Sequence, residues 1–489
     1  MTQVQDVPVR SFSQLFVGGH WVPPSGDDLL TVISPTTEQT LAHVPEAGQG
    51  DVDAAVRAAR QAFDHGPWPR LPGPERAAAL RRIRAEIAAR LPAMSESFTA
   101  ELGAPRALSD AFHAGALTMW DSNADIAETY PFEQERPGMG GPGMGGRATV
   151  LHEPVGVVGA ITPWNAPVGN ASIKLAPALA AGCTAVLKPA PEGPVSALML
   201  AEAFEAAGLP DGVLSVLPAG REVGEHLVRH PDVDKVTFTG STAAGRRIMS
   251  ICGERIARIT LELGGKSAGI IADDIDVDGL LPDLVTAGIG HTGQICAALT
   301  RVLVPAHRQA EIVDKMAAIM SEITVGDPMH PATQLGPLAM ERQRDRVEGY
   351  VAAGRAEGAR VVIGGRRPPA QPRGWFYQPT LFADVRNSMR IAQEEIFGPV
   401  ICVIPFTGEQ DAVAIANDSA YGLSGAVYAD DLDLAERIAR RVRTGQMWIN
   451  SWGMCVTEPF GGFKQSGLGR EGGAEGVSAY LESKFIQRP

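Results

Sequence analysis

Five short apolar runs decide the fold of this chain: VGVVGAI (residues 155–161), TAVLK (184–188), VLSVL (213–217), KVTFT (235–239) and ITLEL (259–263). Between them lie segments with small and apolar residues at helical spacing, such as residues 194–207, which Gly208 closes. Apolar strands that alternate with helices are typical of a parallel, doubly wound sheet. Because such sheets bind ligands at the carboxyl ends of their strands, polar residues after these runs are the first functional candidates.

The sequence on either side of this block predicts further helices and strands. Residues 51–90 read as two helices separated by a breaker stretch at 66–74. The segment PGMGGPGMGGR (137–147) has the composition of a loop or linker and marks a boundary. After residue 271 a second alternation predicts strands near 360–363, 400–406, 426–428 and 446–449, with helices near 308–323, 410–417 and 432–441. Two α/β lobes are the simplest account.

Length and charge exclude several classes of protein. At roughly 100 to 200 residues per domain, a chain of 489 residues forms two or three domains with ample core. Lys plus Arg number 43 against 56 Asp plus Glu, which gives a net charge of −13, and the acidic excess is spread along the chain. A nucleic acid or an anionic membrane would need a basic face, so neither is an expected partner.

The N-terminal residues and the cysteines bear on location. Residues 1–10 lack the pattern of a signal peptide, and no apolar stretch reaches the roughly 18 residues of a spanning helix, so we expect a cytoplasmic protein. The 5 cysteines are scattered without metal-ligand spacing, so neither a disulfide framework nor a metal site is predicted.

Two polar motifs follow strands of the predicted sheet. The first run leads into TPWN (162–165), where the side-chain amide of Asn165 could stabilise a developing oxyanion, although a helix cap is the simpler interpretation of a lone Asn. The fourth run leads into FTGSTAAG (238–245), where a helix N-terminus and the Ser241 hydroxyl suit a phosphate. A capped helix with a tight turn is the alternative, because the triphosphate-binding loop pattern is missing.

Two further segments carry groups for acid–base or covalent chemistry. In LELGGK (261–266) an apolar strand ends at Glu262, whose pKa burial would raise towards that of a general base. An ion pair with Lys266 is the equal alternative. In GQICAA (293–298) Cys296 follows a glycine and could be a nucleophile whose own N–H completes an oxyanion hole. An inert buried thiol is the alternative for any single cysteine.

Three histidines give weaker signals. His291 lies close to the candidate nucleophile in sequence, so a Cys-His hydrolase stays open. His226 and His230 are four positions apart on a predicted helix. Without the Glu of a zinc-protease motif they are interpreted as surface histidines rather than metal ligands.

Taken in this order, the motifs resemble the NAD(P)-dependent aldehyde dehydrogenase superfamily, in its hydrolytic, non-acylating form. The resemblance covers nearly the whole chain, from FVGG (16–19) through EEIFGP (394–399) to PFGGFKQSG (459–467). It implies oxidation of an aldehyde to the carboxylic acid through a Cys296 thiohemiacetal and thioester. The oxyanion would be held by the Asn165 amide and the Cys296 N–H, while Glu262 would activate water and Lys174 would support Asn165.

The resemblance also implies a cofactor site. Lys188 would hold the adenosine ribose, Glu395 the nicotinamide ribose and Phe397 a wall of the nicotinamide site. The remaining predicted cofactor residues are Ile161, Thr162, Pro163, Trp164, Gly220, Gly240, Ser241 and Leu263. One departure concerns the choice of dinucleotide, because many members that prefer NAD carry a Glu three positions after the ribose lysine. Here that position is Pro191 and the acid is Glu192, so NAD is expected with NADP as an alternative.

Other functions remain as alternatives. A semialdehyde dehydrogenase that acylates coenzyme A is the first, although such enzymes generally lack the glutamate found here at Glu262. A Cys-dependent esterase without cofactor is the second, and a silent binding protein on the same scaffold is the third.

The resemblance further implies a domain plan. Residues 1–129 and 152–261 would bind NAD(P), residues 262–470 would form the α/β catalytic domain, and residues 130–151 and 471–489 would form a small β oligomerisation arm. A strand near 476–487 would pair with the hairpin of that arm in a homodimer or homotetramer. An apolar tunnel would favour aromatic or medium aliphatic aldehydes, and its candidate lining residues are Ile295, Ala297, Trp452, Met454 and Phe460.

Overall fold

The computed structural model describes residues 9–138 and 146–488. Of the loop or linker predicted at 137–147, residues 139–145 therefore lie outside the described residues. The strands are β1 (Leu15–Val17), β2 (His20–Val22), β3 (Leu29–Ile33), β4 (Thr40–Pro45), β5 (Glu133–Pro137), β6 (Arg147–Pro154), β7 (Val157–Ile161), β8 (Thr184–Lys188), β9 (Leu214–Val216), β10 (Lys235–Thr239), β11 (Arg258–Glu262), β12 (Ala268–Ile271), β13 (Arg301–Pro305), β14 (Arg360–Ile363), β15 (Thr380–Ala383), β16 (Val400–Phe406), β17 (Gly425–Tyr428), β18 (Trp448–Ile449), β19 (Gly467–Leu468) and β20 (Leu481–Arg488).

Helices connect most of these strands. The α-helices are α1 (Gln49–His65), α2 (Gly73–Leu102), α3 (Arg106–Thr129), α4 (Pro167–Ala181), α5 (Pro194–Ala206), α6 (Arg221–Arg229), α7 (Thr242–Arg255), α8 (Leu281–Ile289), α9 (Gln309–Ser321), α10 (Glu341–Ala356), α11 (Arg390–Gln393), α12 (Gly408–Asn417), α13 (Leu432–Ala439) and α14 (Gly473–Ser478). Short 3₁₀ turns occur at Trp68–Arg70, Gly290–Gly293, Ala306–Arg308 and Lys464–Ser466. Among the described residues no helix combines the length and apolar character needed to cross a membrane.

The first sheet confirms the predicted doubly wound fold. Within the described residues its strand order is β19-β11-β10-β7-β8-β9-β1-β2, and the strands from β11 to β9 are parallel. Each of the five apolar runs forms one of these strands. In the register, Ile161 lies beside Lys188 and Thr239 lies beside Glu262, so the polar ends of neighbouring strands meet at one edge.

The second sheet builds the other lobe. Its order among the described residues is β14-β15-β16-β13-β12-β17-β18, and only the pair of β14 with β15 is antiparallel. The lobes are not separate in sequence, because β19, far along the chain, pairs antiparallel with β11 in the first sheet. This two-residue strand carried no pattern from which it could be predicted.

A third sheet corresponds to the predicted arm. Strands β5 and β6 form an antiparallel hairpin, and β20 pairs antiparallel with β6. The predicted strand at 476–487 was wrong at its beginning, because residues up to Ser478 lie in α14. Gly476 and Val477 are buried on that short helix, whereas β20 is exposed along most of its length.

Burial explains why the central strands and helices can be predicted from the sequence. All five residues of β7 and of β8 are buried, and α4, which lies between them in the chain, buries thirteen of its fifteen residues. A strand covered on both faces is mostly apolar, which is the pattern of the quoted runs. Most of the polar groups of the site therefore lie at the carboxyl ends of the strands.

Candidate active site

A cleft of about 210 Å³ lies at the carboxyl edge of the first sheet. The predicted residues that line it are Pro163, Trp164, Asn165, Gly240, Ser241, Leu263, Cys296, Glu395 and Phe397. Residues that sequence reasoning missed line it as well, namely Asn170, Thr239, Gly264, Gln343 and Arg346. The cleft thus joins loops that follow β7, β10 and β11 to loops of the second lobe.

Cys296 lies after a tight turn that its neighbours force. Gly293 has a φ of +73°, and a Cβ there would lie 2.0 Å from the carbonyl oxygen of Gly398. Only glycine fits this close approach, so the turn packs the residues before Cys296 against the segment that contains Gly398. Burial, together with the charges of the nearby Glu395 and Glu262 carboxyls, raises the pKa of the Cys296 thiol to about 12. The thiol consequently needs a proton acceptor to become a nucleophile.

Asn165 is held by the loop that carries Cys296. Its Nδ2 donates a hydrogen bond of 2.9 Å to the carbonyl oxygen of Gln294, and its Oδ1 accepts a hydrogen bond of 3.4 Å from Asn170 Nδ2. Gln294 is itself fixed, because its Oε1 accepts the N–H of Ala339 at 3.0 Å. The amide therefore has a defined orientation, and its second N–H has no partner in the described part of the chain.

Glu262 is buried without a hydrogen-bond partner. Glu262 is only 2 % exposed, and neither of its carboxyl oxygens has a partner among the described residues. Burial raises the pKa of Glu262 well above its ordinary value, and the Glu471 carboxyl adds to this effect, while Lys174 and Arg470 oppose it. The alternative of an ion pair with Lys266 is wrong, because the Lys266 ammonium also lacks a partner in the described chain.

Lys174 belongs to a buried polar group next to Glu262. Its Nζ donates to Glu471 Oε1 and, at 3.4 Å, to Thr237 Oγ1. The Thr237 hydroxyl in turn donates to Glu471 Oε1 at 3.3 Å. No bond joins Lys174 to Asn165 among the described residues, and its ammonium lies instead in the polar group near Glu262. Sequence reasoning missed Glu471, which is 297 positions from Lys174.

Other residues that were predicted to bind the dinucleotide lie farther along the carboxyl edge of the first sheet. Lys188 is buried, and its Nζ donates to the carbonyl oxygens of Pro189, at 3.1 Å, and Ala219. Burial lowers the pKa of Lys188 to about 8, against the opposing charges of Glu192 and Glu46. Ile161 and Thr162 are buried at the end of β7, where the Thr162 N–H donates to the Lys188 carbonyl at 3.1 Å.

Two more segments complete that side. Ser241 is the N-cap of α7, and its Oγ accepts the Ala244 N–H at 3.3 Å. Glu395 Oε1 accepts the Gly265 N–H at 3.0 Å, and burial raises the pKa of this carboxyl to about 6. The ring of Phe397 stands edge-on to Trp164, with centroids 5.5 Å apart.

These groups suit a nicotinamide dinucleotide. Lys188 has no carboxylate partner within 4.0 Å among the described residues, so its ammonium can donate to ribose hydroxyls. The buried Thr239 hydroxyl, which lines the cleft, also lacks a partner in that part of the chain. A capped helix N-terminus beside it offers N–H groups to a pyrophosphate.

Comparison with known proteins assigns this architecture to a family. The model of the aldehyde dehydrogenase family matches residues 21–486. The chain belongs to this family. It is 44% identical over 473 residues to geranial dehydrogenase of Castellaniella defragrans, which covers 96% of this chain and 98% of that protein. The predicted family, fold class and aldehyde-oxidising activity are therefore confirmed.

Solved structures agree with this assignment. An aldehyde dehydrogenase of Mycobacterium tuberculosis complexed with NAD+ superposes with a TM-score of 0.96 at 46% identity, over 98% of this chain and 99% of that chain. A mutant of aldehyde dehydrogenase C from Pseudomonas syringae, complexed with NAD+ and octanal, superposes with a TM-score of 0.93 at 40% identity, over 97% and 96% of the two chains.

The histidines do not take part in this aldehyde dehydrogenase site. His291 is fully buried, and its ring contacts Phe98 and Phe112 with centroids 5.4 Å and 6.0 Å away. Burial lowers the pKa of His291 to about 4, so it stays neutral, and no bond joins it to Cys296 among the described residues. The Cys-His dyad is therefore not supported.

The other two histidines lie on and next to α6. His226 Nε2 is 2.6 Å from Asp53 Oδ1, and the side chains of His226 and His230 are 29 % and 13 % exposed. The described residues include no group of His, Cys, Asp and Glu side chains arranged to hold a metal.

Proposed function

We propose that this chain oxidises an apolar aldehyde to the carboxylic acid with NAD+ and water, using Cys296 as the nucleophile. The observation that carries the proposal is the cleft shared by Cys296 and Asn165, together with the unpartnered buried carboxyl of Glu262 nearby. A nucleophile, an oxyanion donor and a proton acceptor are the three groups that such a reaction requires.

The first half of the reaction forms a bond to sulfur. The Cys296 thiol gives its proton to solvent water, and the resulting thiolate sulfur attacks the carbonyl carbon. The negative charge moves to the aldehyde oxygen, where the second N–H of Asn165 Nδ2 and the Cys296 N–H stabilise it. Both donors are neutral, so the oxyanion is stabilised without being trapped. Bound NAD+ would supply the acceptor for the hydride that leaves this carbon, and loss of the hydride would convert the adduct into a thioester of Cys296.

The second half of the reaction breaks the same bond. Glu262 accepts a proton from water while the water oxygen attacks the thioester carbon, and the carbon–sulfur bond breaks to release the acid and the Cys296 thiolate. A carboxyl whose pKa is raised by burial is a stronger base once it has lost its proton. Lys174 and Glu471 set the charge around Glu262 and so set the pH at which it works.

The chain's residues divide the dinucleotide among them in the proposed complex. Lys188 and Gly220 would hold the adenosine ribose end, Gly240 and Ser241 the pyrophosphate, and Glu395 the nicotinamide ribose. Aromatic and apolar groups would enclose the ring, namely Ile161, Trp164, Leu263 and Phe397, with Thr162 and Pro163 shaping the loop. The two structural relatives complexed with NAD+ support this assignment.

An apolar substrate fits the surroundings of the thiol. Ile295, Trp452 and Phe460 pack in one cluster with Cys296, and Trp452 Nε1 donates to the Ala297 carbonyl at 3.3 Å. Ala297 is fully buried and supports this cluster, whereas Met454 is 45 % exposed. The names geranial dehydrogenase and the octanal complex belong to relatives, and both point to hydrophobic aldehydes. We therefore propose medium aliphatic or aromatic aldehydes as the substrate class.

Assembly and location are part of the proposal. The sheet of β5, β6 and β20 exposes Phe485 and Ile486, which are 71 % and 42 % accessible in the isolated chain. Exposed apolar residues on an edge sheet favour burial against a second copy, as a homodimer or homotetramer. The proposed location is the cytoplasm. The domain plan given above stays a prediction.

The test follows absorbance at 340 nm with purified protein, NAD+ or NADP+ and a panel of aldehydes. We expect reduced cofactor to form with NAD+ and an apolar aldehyde, and no turnover in the Cys296→Ala variant. Absence of activity across the panel with both cofactors would contradict the proposal. Activity that requires coenzyme A would favour the acylating alternative.

A further inference from the structure

One peptide group joins the ribose lysine to an acid from the N-terminal part of the chain. Lys188 Nζ donates to the carbonyl oxygen of Ala219, and the N–H of the same peptide, that of Gly220, donates to Glu46 Oε1 at 2.8 Å. The Ala47 N–H also donates to the Pro218 carbonyl at 2.9 Å, which fixes this segment against the loop before α6. Glu46 is thus held next to the predicted ribose site.

Two acids act on Lys188, and only one of them has its charge compensated by an ion pair. The charges of both Glu192 and Glu46 act on the Lys188 ammonium. Glu192 forms an ion pair with Arg342, so its charge is neutralised by a cation of the other lobe. Glu46 is half-buried and forms no ion pair among the described residues. Of the two acids that act on Lys188, Glu46 is therefore the one without a compensating ion pair among the described residues.

We propose that Glu46 is the residue that selects NAD+ over NADP+ in this chain. Pro191, three positions after Lys188, has neither charge nor a side-chain acceptor. A 2′-phosphate adds about two negative charges at pH 7. Placed on Lys188, that phosphate would be repelled by Glu46, whereas a 2′-hydroxyl would meet a hydrogen-bond acceptor. The inference rests on the proposed role of Lys188 in holding the ribose.

The test compares Glu46→Gln with wild type by titrating NAD+ and NADP+ calorimetrically, without aldehyde. Glutamine keeps an oxygen for the Gly220 N–H and removes only the charge. We expect NADP+ to bind roughly tenfold more tightly to the variant, with a smaller change for NAD+. Glu222→Gln, which neutralises an exposed acid in the first turn of α6, is the matched control and should change neither affinity.

Two further variants keep the test decisive. Glu46→Ser also removes the charge and supplies the same readout if the glutamine variant does not fold. Adding Pro191→Glu to Glu46→Gln should restore selectivity, because it places an acid three positions after Lys188.

The outcomes separate this inference from the proposed function. Wild type that binds neither dinucleotide contradicts both. Wild type that binds NAD+ and NADP+ equally, or an unchanged affinity ratio in a folded Glu46→Gln variant, overturns only the role of Glu46. A larger gain of NADP+ affinity in Glu192→Gln than in Glu46→Gln would also overturn it.

Discussion

Two glutamates, Glu262 and Glu101, are buried in the first lobe, and burial raises the pKa of both. Glu101 lies beneath the N-terminus of α5, where its carboxyl accepts the N–H groups of Val195 and Ser196 at 3.2 Å each and the Ser97 and Ser196 hydroxyls. These donors limit the rise, so the pKa of Glu101 reaches only about 7. Glu262 has no such donor in the described chain, and it lies near a second acid.

The difference shows what separates a structural carboxyl from a candidate base. An acceptor position used by helix N–H and hydroxyl donors is unavailable to a ligand, so the contacts of Glu101 are those of a group that stabilises α5. A buried carboxyl without donors costs stability, and such a cost persists where a site uses the group. Burial and a raised pKa therefore do not identify a base unless the oxygens are also free.

The first prediction tests this distinction directly. Glu262→Gln should lower steady-state turnover by about 10²- to 10⁴-fold, the usual contribution of a general base. The first turnover should survive as a burst of reduced cofactor if another group or solvent accepts the thiol proton, because thioester hydrolysis is the step that needs Glu262. Rapid-mixing absorbance at 340 nm separates the burst from the later rate.

Glu101→Gln is the matched control for that experiment, since it also neutralises a buried glutamate in the same lobe. It should retain turnover close to that of wild type. A Glu262→Gln variant that turns over at nearly the wild-type rate would remove the proposed base.

The sequence predicted the groups that follow recognisable elements. Asn165 and Glu262 stand at the ends of apolar runs, and Cys296 follows a glycine whose positive φ the close approach to Gly398 requires. The local sequence pattern predicts such residues, because neighbouring residues determine where a strand ends and where a turn forms. The same reasoning located the main strands of both sheets, with errors of a few residues at their ends.

The sequence could not predict groups that are brought together only by the fold. Glu471 meets Lys174 across 297 positions, and Glu101 meets Ser196 across 95. No spacing rule connects such pairs, and each side chain alone resembles a surface residue. Asn170 is similar, because its contact with Asn165 depends on the first turn of α4 and on the orientation of an amide.

The second prediction concerns the half-reaction in which Glu262 has no stabilising role. Asn165→Ala should slow the step that forms reduced cofactor by about 10²- to 10³-fold, because an oxyanion donor is lost. The burst that survives in Glu262→Gln should therefore become slow here. Asn170→Ala serves as the comparison, and a loss of less than tenfold is expected from its single 3.4 Å hydrogen bond. Equal losses in the two variants would mean that Asn165 does not bind the oxyanion.

The third prediction changes the charge near Glu262 without touching it. Glu471→Gln removes a like charge and frees Lys174, and both effects lower the pKa of Glu262. The base works only after losing its proton, so the rising limb of the pH–rate profile should move to lower pH, by about one unit. Steady-state rates measured after the burst, from pH 5 to 9, give the limb. A profile that stays in place would show that Glu471 does not act on Glu262.

The smallest effect is expected at Glu101, and it concerns stability rather than turnover. A carboxyl whose pKa rises from 4.5 to about 7 on folding holds its proton more tightly in the folded state. Its contribution is fully present below pH 4.5 and is lost as the pH rises through about 7, a change of at most about 3 kcal/mol in the free energy of unfolding. Glu101→Gln imitates the protonated form, so its melting temperature should fall less than that of wild type between pH 5 and pH 8. Parallel pH dependences of the two proteins would mean that the donors at α5 keep Glu101 charged, and the contrast with Glu262 would then rest on hydrogen bonding alone.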